Sequence, residues 1–536
     1  VRVYRRILLR LSVLAGFHPD IAIAIARMAR LGCLDVCNMS QPLSASTLSQ
    51  LAAKIRRPHY DRAAVKPGLV HIGVGGFFRA HQAVYADDLL EKNGDNNWGY
   101  CGVGLLPHDA RMRDTLQRQN CLYTVVERDG NGSRARVVGS LVNYLFAPDN
   151  PDRVIDTLAS ADTKIISLTI TEGGYHITGK TGGFDADHPD VLFDLANPHR
   201  PRGTFGFLAE SLQRRMLRHG SPVTLMSCDN IQGNGDLLRR HMITFAEMRD
   251  AKLGRWLKDN CTFPNSMVDR ITPSTSDEDR AAVRNEYEVD DNWPVMTEPF
   301  RQWVMEDHFA CGRPAWETCG VQFTQDVAAY EKLKLRILNG SHQALCYIGL
   351  LLGHKYVHEA AGDADIRKLV QLLLEREVLP SLTSVPGMEL HSYQARVLQR
   401  FANAAIRDPL VRISYYGSSG IPQFLIPSIV DRLKSGPVSL LGFVIASWFR
   451  CLAGQDDAGR ELPSPDPMTP ALREIACRAR QDPDAVFSGH DLFGPHLSQS
   501  KTFRISVTQA LRSFYRSGAK ETLRRYITAT EPIIRP

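Results

Sequence analysis

Two patterns in the sequence predict an α/β chain: a Rossmann-type dinucleotide-binding N-terminal domain followed by a mainly α-helical C-terminal domain. Up to Phe323, short apolar runs end in glycine-rich or polar turns and alternate with helical stretches, the grammar of a parallel sheet covered by helices. From Thr324 onward helical periodicity dominates and no strand series is sustained. With 536 residues the chain is long enough for more than one core. The expected division is an N-terminal extension over 1–38, a nucleotide-binding domain over 39–323 and a helical substrate domain over 324–536.

The extension holds six Arg and two Asp, so it supplies +4 of the net +6 and leaves the body nearly neutral. A polyanionic partner such as nucleic acid is therefore not indicated. Arg2, Arg5 and Arg6 precede an apolar patch that Arg10 interrupts, and no convincing cleavage site follows. Met39 opens a polar leader, M-S-Q-P-L-S-A-S-T-L-S-Q. The expectation is a native start at Met39, with the preceding residues non-native or disordered.

Leu69 to Gly73 is a short apolar strand that runs into V-G-G-F-F-R-A and an amphipathic helix through Leu90. Strand, glycine turn and helix are the context a dinucleotide site requires. Gly73 would make the tight turn, and Gly75 and Gly76 would let the backbone approach a pyrophosphate at the helix N-terminus. Phe78 stands where the third glycine of the fingerprint is usual. The candidate cofactor stretch comprises Ile72, Gly73, Val74, Gly75, Gly76, Phe77, Phe78 and Arg79; a plain structural turn is the alternative.

A second strand, Tyr100 to Leu106, ends before P-H-D, where the acid that holds the adenine ribose is expected. Asp109 is the candidate, although a helix N-cap suits its position equally. Basic neighbours His108, Arg111 and Arg113 would suit a 2′-phosphate, so NADP stays open beside NAD.

Strand-like pieces follow at Leu122 to Glu127 and Ala135 to Leu141, then a helix from Pro151 to Ser160. Lys164 to Ile170 is a continuous apolar run of the doubly covered kind. It empties into T-E-G-G-Y, which places Glu172 beyond the carboxyl end of a strand, where ligands bind in such sheets. Val223 to Met226 runs likewise into S-C-D-N with Asn230 at its mouth. A helix from Asp236 to about Leu257 and an extended S-M-V-D-R-I-T-P containing Asp269 complete the half.

The helical half begins with E-K-L-K-L-R-I-L-N-G-S-H, Glu331 to His342. Lys334, Asn339 and His342 fall at i, i+5 and i+8, which at about 100° per residue spreads them over roughly 140° of one helix side. Leu335, Ile337, Leu338, Ala344, Leu345 and Ile348 make that helix apolar enough to bury. Three buried polar groups suit the oxidation of a secondary alcohol: a base, an oxyanion donor and an orienting group. A lysine serves as base only if burial lowers its pKa. Further helices are expected over 363–377, 392–403, 426–434, 438–452, 470–480 and 502–513. The apolar run Leu440 to Phe449 is too short to span a bilayer, where about 20 residues are needed, and reads as a buried helix.

Eleven cysteines lie scattered without a C-x-x-C pair, Cys33 and Cys37 being the closest, which suits a reduced, cytoplasmic protein. No H-E-x-x-H or paired Cys/His cluster suggests a metal site.

In combination, H-I-G-V-G-G-F-F-R-A-H-Q, T-E-G-G-Y, S-C-D-N, M-V-D-R-I-T-P and K-L-R-I-L-N-G-S-H resemble the long-chain, metal-independent mannitol dehydrogenase family, which also holds fructuronate and tagaturonate reductases and D-arabinitol dehydrogenases. The resemblance runs from about Met39 to the C-terminus. It implies an NAD-dependent, monomeric polyol dehydrogenase in which Lys334 is the general base and Asn230 and Asn339 form the oxyanion hole. It further implies that His342 orients substrate, that Glu331 gates proton exchange, and that Asp269 and Arg412 surround the substrate. One departure stands out. Where the family commonly reads D-G-S-S-K-x-P, this chain reads Y-G-S-S-G-I-P, with Tyr416 and Gly420, so a cation is lost from the substrate region.

The leading expectation is interconversion of a hexitol and a ketose, D-mannitol and D-fructose first, with the uronate reductases and D-arabinitol enzymes as alternatives. A nucleotide sensor without turnover is the non-enzyme alternative. A Rossmann methyltransferase would explain the glycine turn but gives the Lys/Asn/His strip no role.

Overall fold

The computed structural model describes residues 40–178, 182–415, 417–463, 466 and 468–529. The extension, the start at Met39, the Cys33 and Cys37 pair, and Tyr416 lie outside the described residues.

Six strands form the central sheet: β1 (Leu69–Ile72), β2 (Tyr100–Gly104), β3 (Leu141–Phe146), β4 (Ile165–Leu168), β5 (Val223–Ser227) and β6 (Cys261–Thr262). All pair in parallel, in the order β3-β2-β1-β4-β5-β6. This is the doubly wound order, with its reversal between β1 and β4, so the crevice beyond their carboxyl ends is where a dinucleotide binds. Strands β1, β4 and β5 are buried along their whole length, because their continuous apolar runs feed cores on both faces. Val70 and Ile166 pack into one core while Leu69 and Ile165 pack into the other.

Three local readings change. The strand expected over Ala135 to Leu141 is divided between two sheets. Tyr123–Asp129 and Gly132–Val138 form an antiparallel hairpin in a separate three-stranded sheet, whereas β3 begins at Leu141. The helix expected over 236–257 is two, Asn234–Arg249 and Ala251–Asn260. Asp250 turns extended between them, and its side chain accepts from the Lys252 N–H at 2.7 Å, capping the second. The helix after the glycine turn is likewise Gly76–Ala80 and Gln82–Asn93, separated at His81.

Ser266–Asp269 pairs antiparallel with Gln302–Met305, which pairs in turn with Gln322–Phe323. From Val327 onward the described residues form helices and turns, with only isolated β-bridges. The expected buried helix is Ser439–Leu452, and every one of its residues is buried. Full burial of a side chain such as Phe443, Val444 or Phe449 contributes about 1.5–3 kcal/mol. Its N-terminus is held by Glu377, whose carboxylate accepts the Leu440 and Leu441 N–H groups at 2.8 Å each. No described helix is long and apolar enough to cross a membrane.

Candidate active site

A cleft of about 490 Å³ lies between the carboxyl ends of the sheet and the first helices of the helical half. On the nucleotide side it is lined by Gly73, Gly75, Gly76 and Phe77, together with Glu172, Asn230 and Asp269. Lys334, Asn339, His342 and Arg412 face it from the helical side.

Gly73 has φ +92, and a Cβ there would collide with the Thr169 carbonyl oxygen. A turn this tight against β4 requires glycine. A Cβ at Gly75 or Gly76 would meet nothing closer than 3.7 Å, so both positions leave open backbone at a helix start, where N–H groups lack intrahelical partners and favour an anion. This cradle fits a pyrophosphate. The absent third glycine normally allows the helix to approach the strand. Here Phe78 solves the packing by stacking on His71, with ring centroids 3.7 Å apart. His71 is anchored to Ser167 and Thr169 at 2.8 and 2.9 Å, and burial pushes its pKa down to about 3, so it is a neutral packing surface.

Four cofactor candidates therefore keep their side chains out of the cleft: Ile72, Val74 and Phe78 are buried in the core, and Arg79 is 1% exposed. The Arg79 guanidinium donates to the Trp293 carbonyl at 2.5 Å and the Gly75 carbonyl at 3.3 Å, bracing the turn from behind. Asp109 also lies outside the cleft lining. Its Oδ2 accepts the Leu106 N–H at 3.0 Å, so it closes the turn after β2. Among the basic neighbours, Arg113 pairs with Asp149 at 2.8 Å and Arg111 lies 4.4 Å over the Trp293 ring.

The strip Glu331 to His342 is not a uniform α-helix. Val327–Leu333 is α-helical, Lys334–Asn339 is π-helical and Gly340–Leu351 is α-helical again. Gly340 N–H donates to the Leu335 carbonyl, an i→i+5 bond that spends one extra residue on the turn. Lys334 and Asn339, also five apart, are thereby brought nearer to one side than the roughly 140° that an α-helix would leave between them. The close approach that Gly340 permits is to backbone: its Cβ would lie 3.4 Å from the Phe424 carbonyl oxygen.

Lys334 is 5% exposed and its ammonium donates to Asn230 Oδ1. Burial lowers its pKa to about 8; Asp269 and Glu331 pull it back up and Arg400 pushes it further down. Glu331 lies behind it, lining with Lys334 and Asn230 a separate void of about 10 Å³. Burial lifts its carboxyl to about 7, against the 3.0 Å bond that its Oε2 accepts from the Gly233 N–H. His342 is pushed down to about 4 by burial and is neutral, with its ring stacked on Phe401 at 4.3 Å. Glu331 Oε1, Asn339 Oδ1 and His342 Nε2 are buried without a hydrogen-bond partner among the described residues. Buried polar atoms are normally paired, so three orphans around one lysine mark a place where a ligand supplies the partners.

Sequence reasoning missed several residues here. Asp408 chelates Arg412 at 2.6 and 2.5 Å. Asp229 accepts the Ile170 and Thr171 N–H groups at 3.0 and 2.9 Å and the Tyr175 hydroxyl at 2.8 Å, fixing the T-E-G-G-Y turn with Thr171 at φ 58. Its position in S-C-D-N beside Asn230 was the available signal. Arg400, which bonds Asp269, and Glu298, which Arg400 also bonds, carry none. Gly420 lines the cleft, and a Cβ there would collide with Gln343 Nε2, so the room a longer side chain would need is filled by that amide. Among the described residues, no group of three or more His, Cys, Asp or Glu could hold a metal ion.

A doubly wound sheet with an open glycine turn, facing a buried low-pKa lysine, defines a dinucleotide-dependent oxidoreductase. The mannitol dehydrogenase Rossmann domain matches residues 67–318 and the mannitol dehydrogenase C-terminal domain matches 326–515. The mannitol 2-dehydrogenase of Aspergillus fumigatus is 46% identical over 496 residues, covering 90% of this chain and 99% of its own. Mannitol dehydrogenase 2 of Saccharomyces cerevisiae is 42% identical, covering 89% of this chain and 95% of its own. Among solved structures, Pseudomonas fluorescens mannitol 2-dehydrogenase, in a ternary complex with NAD and D-mannitol, superposes with TM-score 0.86 at 39% identity, covering 91% of this chain and 99% of its own. A D-sorbitol dehydrogenase follows at 0.78 and 35%, covering 90% and 100%. The chain belongs to the mannitol dehydrogenase family.

Proposed function

We propose that this chain is an NAD-dependent polyol dehydrogenase that interconverts D-mannitol and D-fructose, with Lys334 as its proton acceptor. The observation that carries the reading is the buried Lys334, held at about 8 beside Asn230 in the cleft that the glycine turn lines. The substrate and cofactor are supported by relatives with the name mannitol 2-dehydrogenase and by the solved complex with NAD and D-mannitol.

The Gly73–Phe77 turn would hold the pyrophosphate, with Glu172 beside it. NAD bound there supplies the acceptor for the hydride that leaves the carbinol carbon. Neutral Lys334 takes the hydroxyl proton at Nζ, and in ketose reduction its ammonium returns it. The amide groups of Asn230 and Asn339 donate to the oxygen as it gains negative charge, without being able to protonate it. Neutral His342 uses Nε2 to orient a neighbouring hydroxyl, with Arg412, fixed by Asp408, at the cleft wall. Glu331, which titrates near 7, exchanges the proton of Lys334 with solvent from the rear void. Asp109 is assigned to the adenine ribose, with the turn after β2 as its mount.

NADH oxidation with D-fructose, D-fructuronate, D-tagaturonate and D-xylulose tests the substrate class; activity with D-fructose is expected to dominate. Because D-mannitol and D-sorbitol both give D-fructose on oxidation at C2, the polyols must also be compared directly. Preference for D-sorbitol, or for a uronate, would overturn the assignment. A monomer in the cytoplasm is the accompanying reading; the nine described cysteines, all free, suit a reducing compartment, and a sedimenting dimer would contradict the monomer.

A further inference from the structure

The helix Leu390–Phe401 belongs to the helical half, yet its last turn reaches the nucleotide half. Arg400 donates from Nη1 and Nη2 to the two carboxylate oxygens of Asp269, at 2.8 Å each. It also donates from Nε and Nη2 to Glu298 Oε2 and Oε1, at 2.9 and 2.7 Å. The three side chains are 9%, 3% and 2% exposed. Glu298 is fixed from its own side, because Oε1 accepts the Ile271 N–H at 2.6 Å and its carbonyl accepts from Arg270 Nε at 3.0 Å. The guanidinium lies 4.2 Å over the Phe300 ring. The next residue, Phe401, is the one on which His342 stacks. One helix end therefore touches both the anion beside the reactive lysine and the orienting histidine.

Asp269 lines the cleft together with Lys334. An unpaired buried carboxylate there would hold the ammonium in place, since an opposite charge within about 4–6 Å favours the charged form. The charged groups acting on Lys334 are Asp269 from its strand, Arg400 from the helix and Glu331 from its own helix, while Asn230 accepts from it beyond β5. Glu298 acts on the Asp269–Arg400 pair. His342 is faced by Asp408, Arg412, Arg400 and Asp269.

We propose that Arg400 is a positioning residue for the reaction: by clamping Asp269 across the two halves, it withholds that carboxylate from Lys334 and so frees the lysine to accept a proton. The proposal rests on Lys334 being the proton acceptor. Arg400 touches no reacting atom. It sets the balance of charge around the one that does, and it locks the cleft walls at the separation at which Asp269, Lys334 and His342 share one space. The direction of each charge agrees: Arg400 lowers the pKa of Lys334 and Asp269 raises it. Burial would raise the Asp269 carboxyl, and Arg400 outweighs that, holding it below the usual carboxylate range.

The test is the pH dependence of D-mannitol oxidation in the full-length enzyme. Arg400→Gln is expected to move the acid limb of kcat upward by about one pH unit or more, with kcat recovering as the pH is raised above the shifted limb. Arg400→Lys keeps a cation and is expected to restore the limb toward wild type. Asp269→Asn, with Arg400 in place, is expected to move the limb the other way, downward, and this variant decides the matter if Arg400→Gln does not fold. Limbs that stay at the wild-type pH in the folded variants would overturn the proposal, leaving Arg400 a stability element alone. Lys334→Ala separates the two levels: full turnover in that variant sinks the lysine reading itself, whereas a dead Lys334→Ala with unmoved limbs elsewhere sinks only the role of Arg400.

Discussion

Two clusters of buried polar groups meet at the cleft, through Asp269 on one side and Lys334, Asn339 and His342 on the other, and are built on opposite terms. Asp269, Glu298 and Arg400 use both carboxylates and two edges of the guanidinium in bonds of 2.7–2.9 Å. Around Lys334, by contrast, Glu331 Oε1, Asn339 Oδ1 and His342 Nε2 have no hydrogen-bond partner among the described residues. A satisfied network specifies a wall; an unsatisfied one costs stability in the free protein and regains it when a ligand arrives. The difference teaches where the chemistry is and what holds it, although both clusters are largely buried.

Substitutions can break that contrast. Lys334→Ala should have the largest effect, lowering turnover by about three to four powers of ten while leaving NADH affinity nearly unchanged; steady-state kinetics and an NADH titration read both. Asn339→Ala should follow, costing about 10²–10³ in kcat if its amide serves the oxyanion, and a change confined to KM would remove it from that role. Glu298→Gln belongs to the other cluster and should act on stability, by about 3 kcal/mol of unfolding free energy, with kcat within about tenfold (about 1.4 kcal/mol). If instead it cost turnover on the scale of Asn339→Ala, with denaturant midpoints unmoved, the division between wall and reactive cluster would be lost. Smallest of all, Asp109→Ala should relax the preference for NAD over NADP by about tenfold, worth about 1.4 kcal/mol; an unchanged ratio would mean that another group holds the ribose.

The same contrast explains what was legible in the sequence. The sheet was, because buried parallel strands are continuous apolar runs and Gly73 is required wherever a chain turns that sharply. Lys334, Asn339 and His342 were legible as polar residues on an apolar helix, and Asn230 as the end of a strand. Their mutual geometry was not, since nothing in K-L-R-I-L-N announces the i→i+5 turn that brings Lys334 and Asn339 toward one side. β3 was blurred into the preceding hairpin because Gly139 and Ser140 separate two apolar runs by too little. Phe78 and Arg79 match the motif by position, yet their side chains serve packing. Arg400, Glu298 and Asp408 left no trace, because a lone charged residue acquires meaning only from partners more than a hundred positions away, as Arg400 does from Asp269 and Glu298, or from a neighbour that folding turns inward.

The central claim is that a neutral, buried lysine takes the proton, and kcat/KM for D-mannitol oxidation measured on either side of pH 8, in wild type and Lys334→Ala, tests it most directly. Since the unprotonated amine is the active form, wild-type activity should rise with pH and level off above about 8, and the variant should lose both the plateau and the break. A variant that retained the wild-type break at a comparable rate would assign the proton to another group and contradict the account.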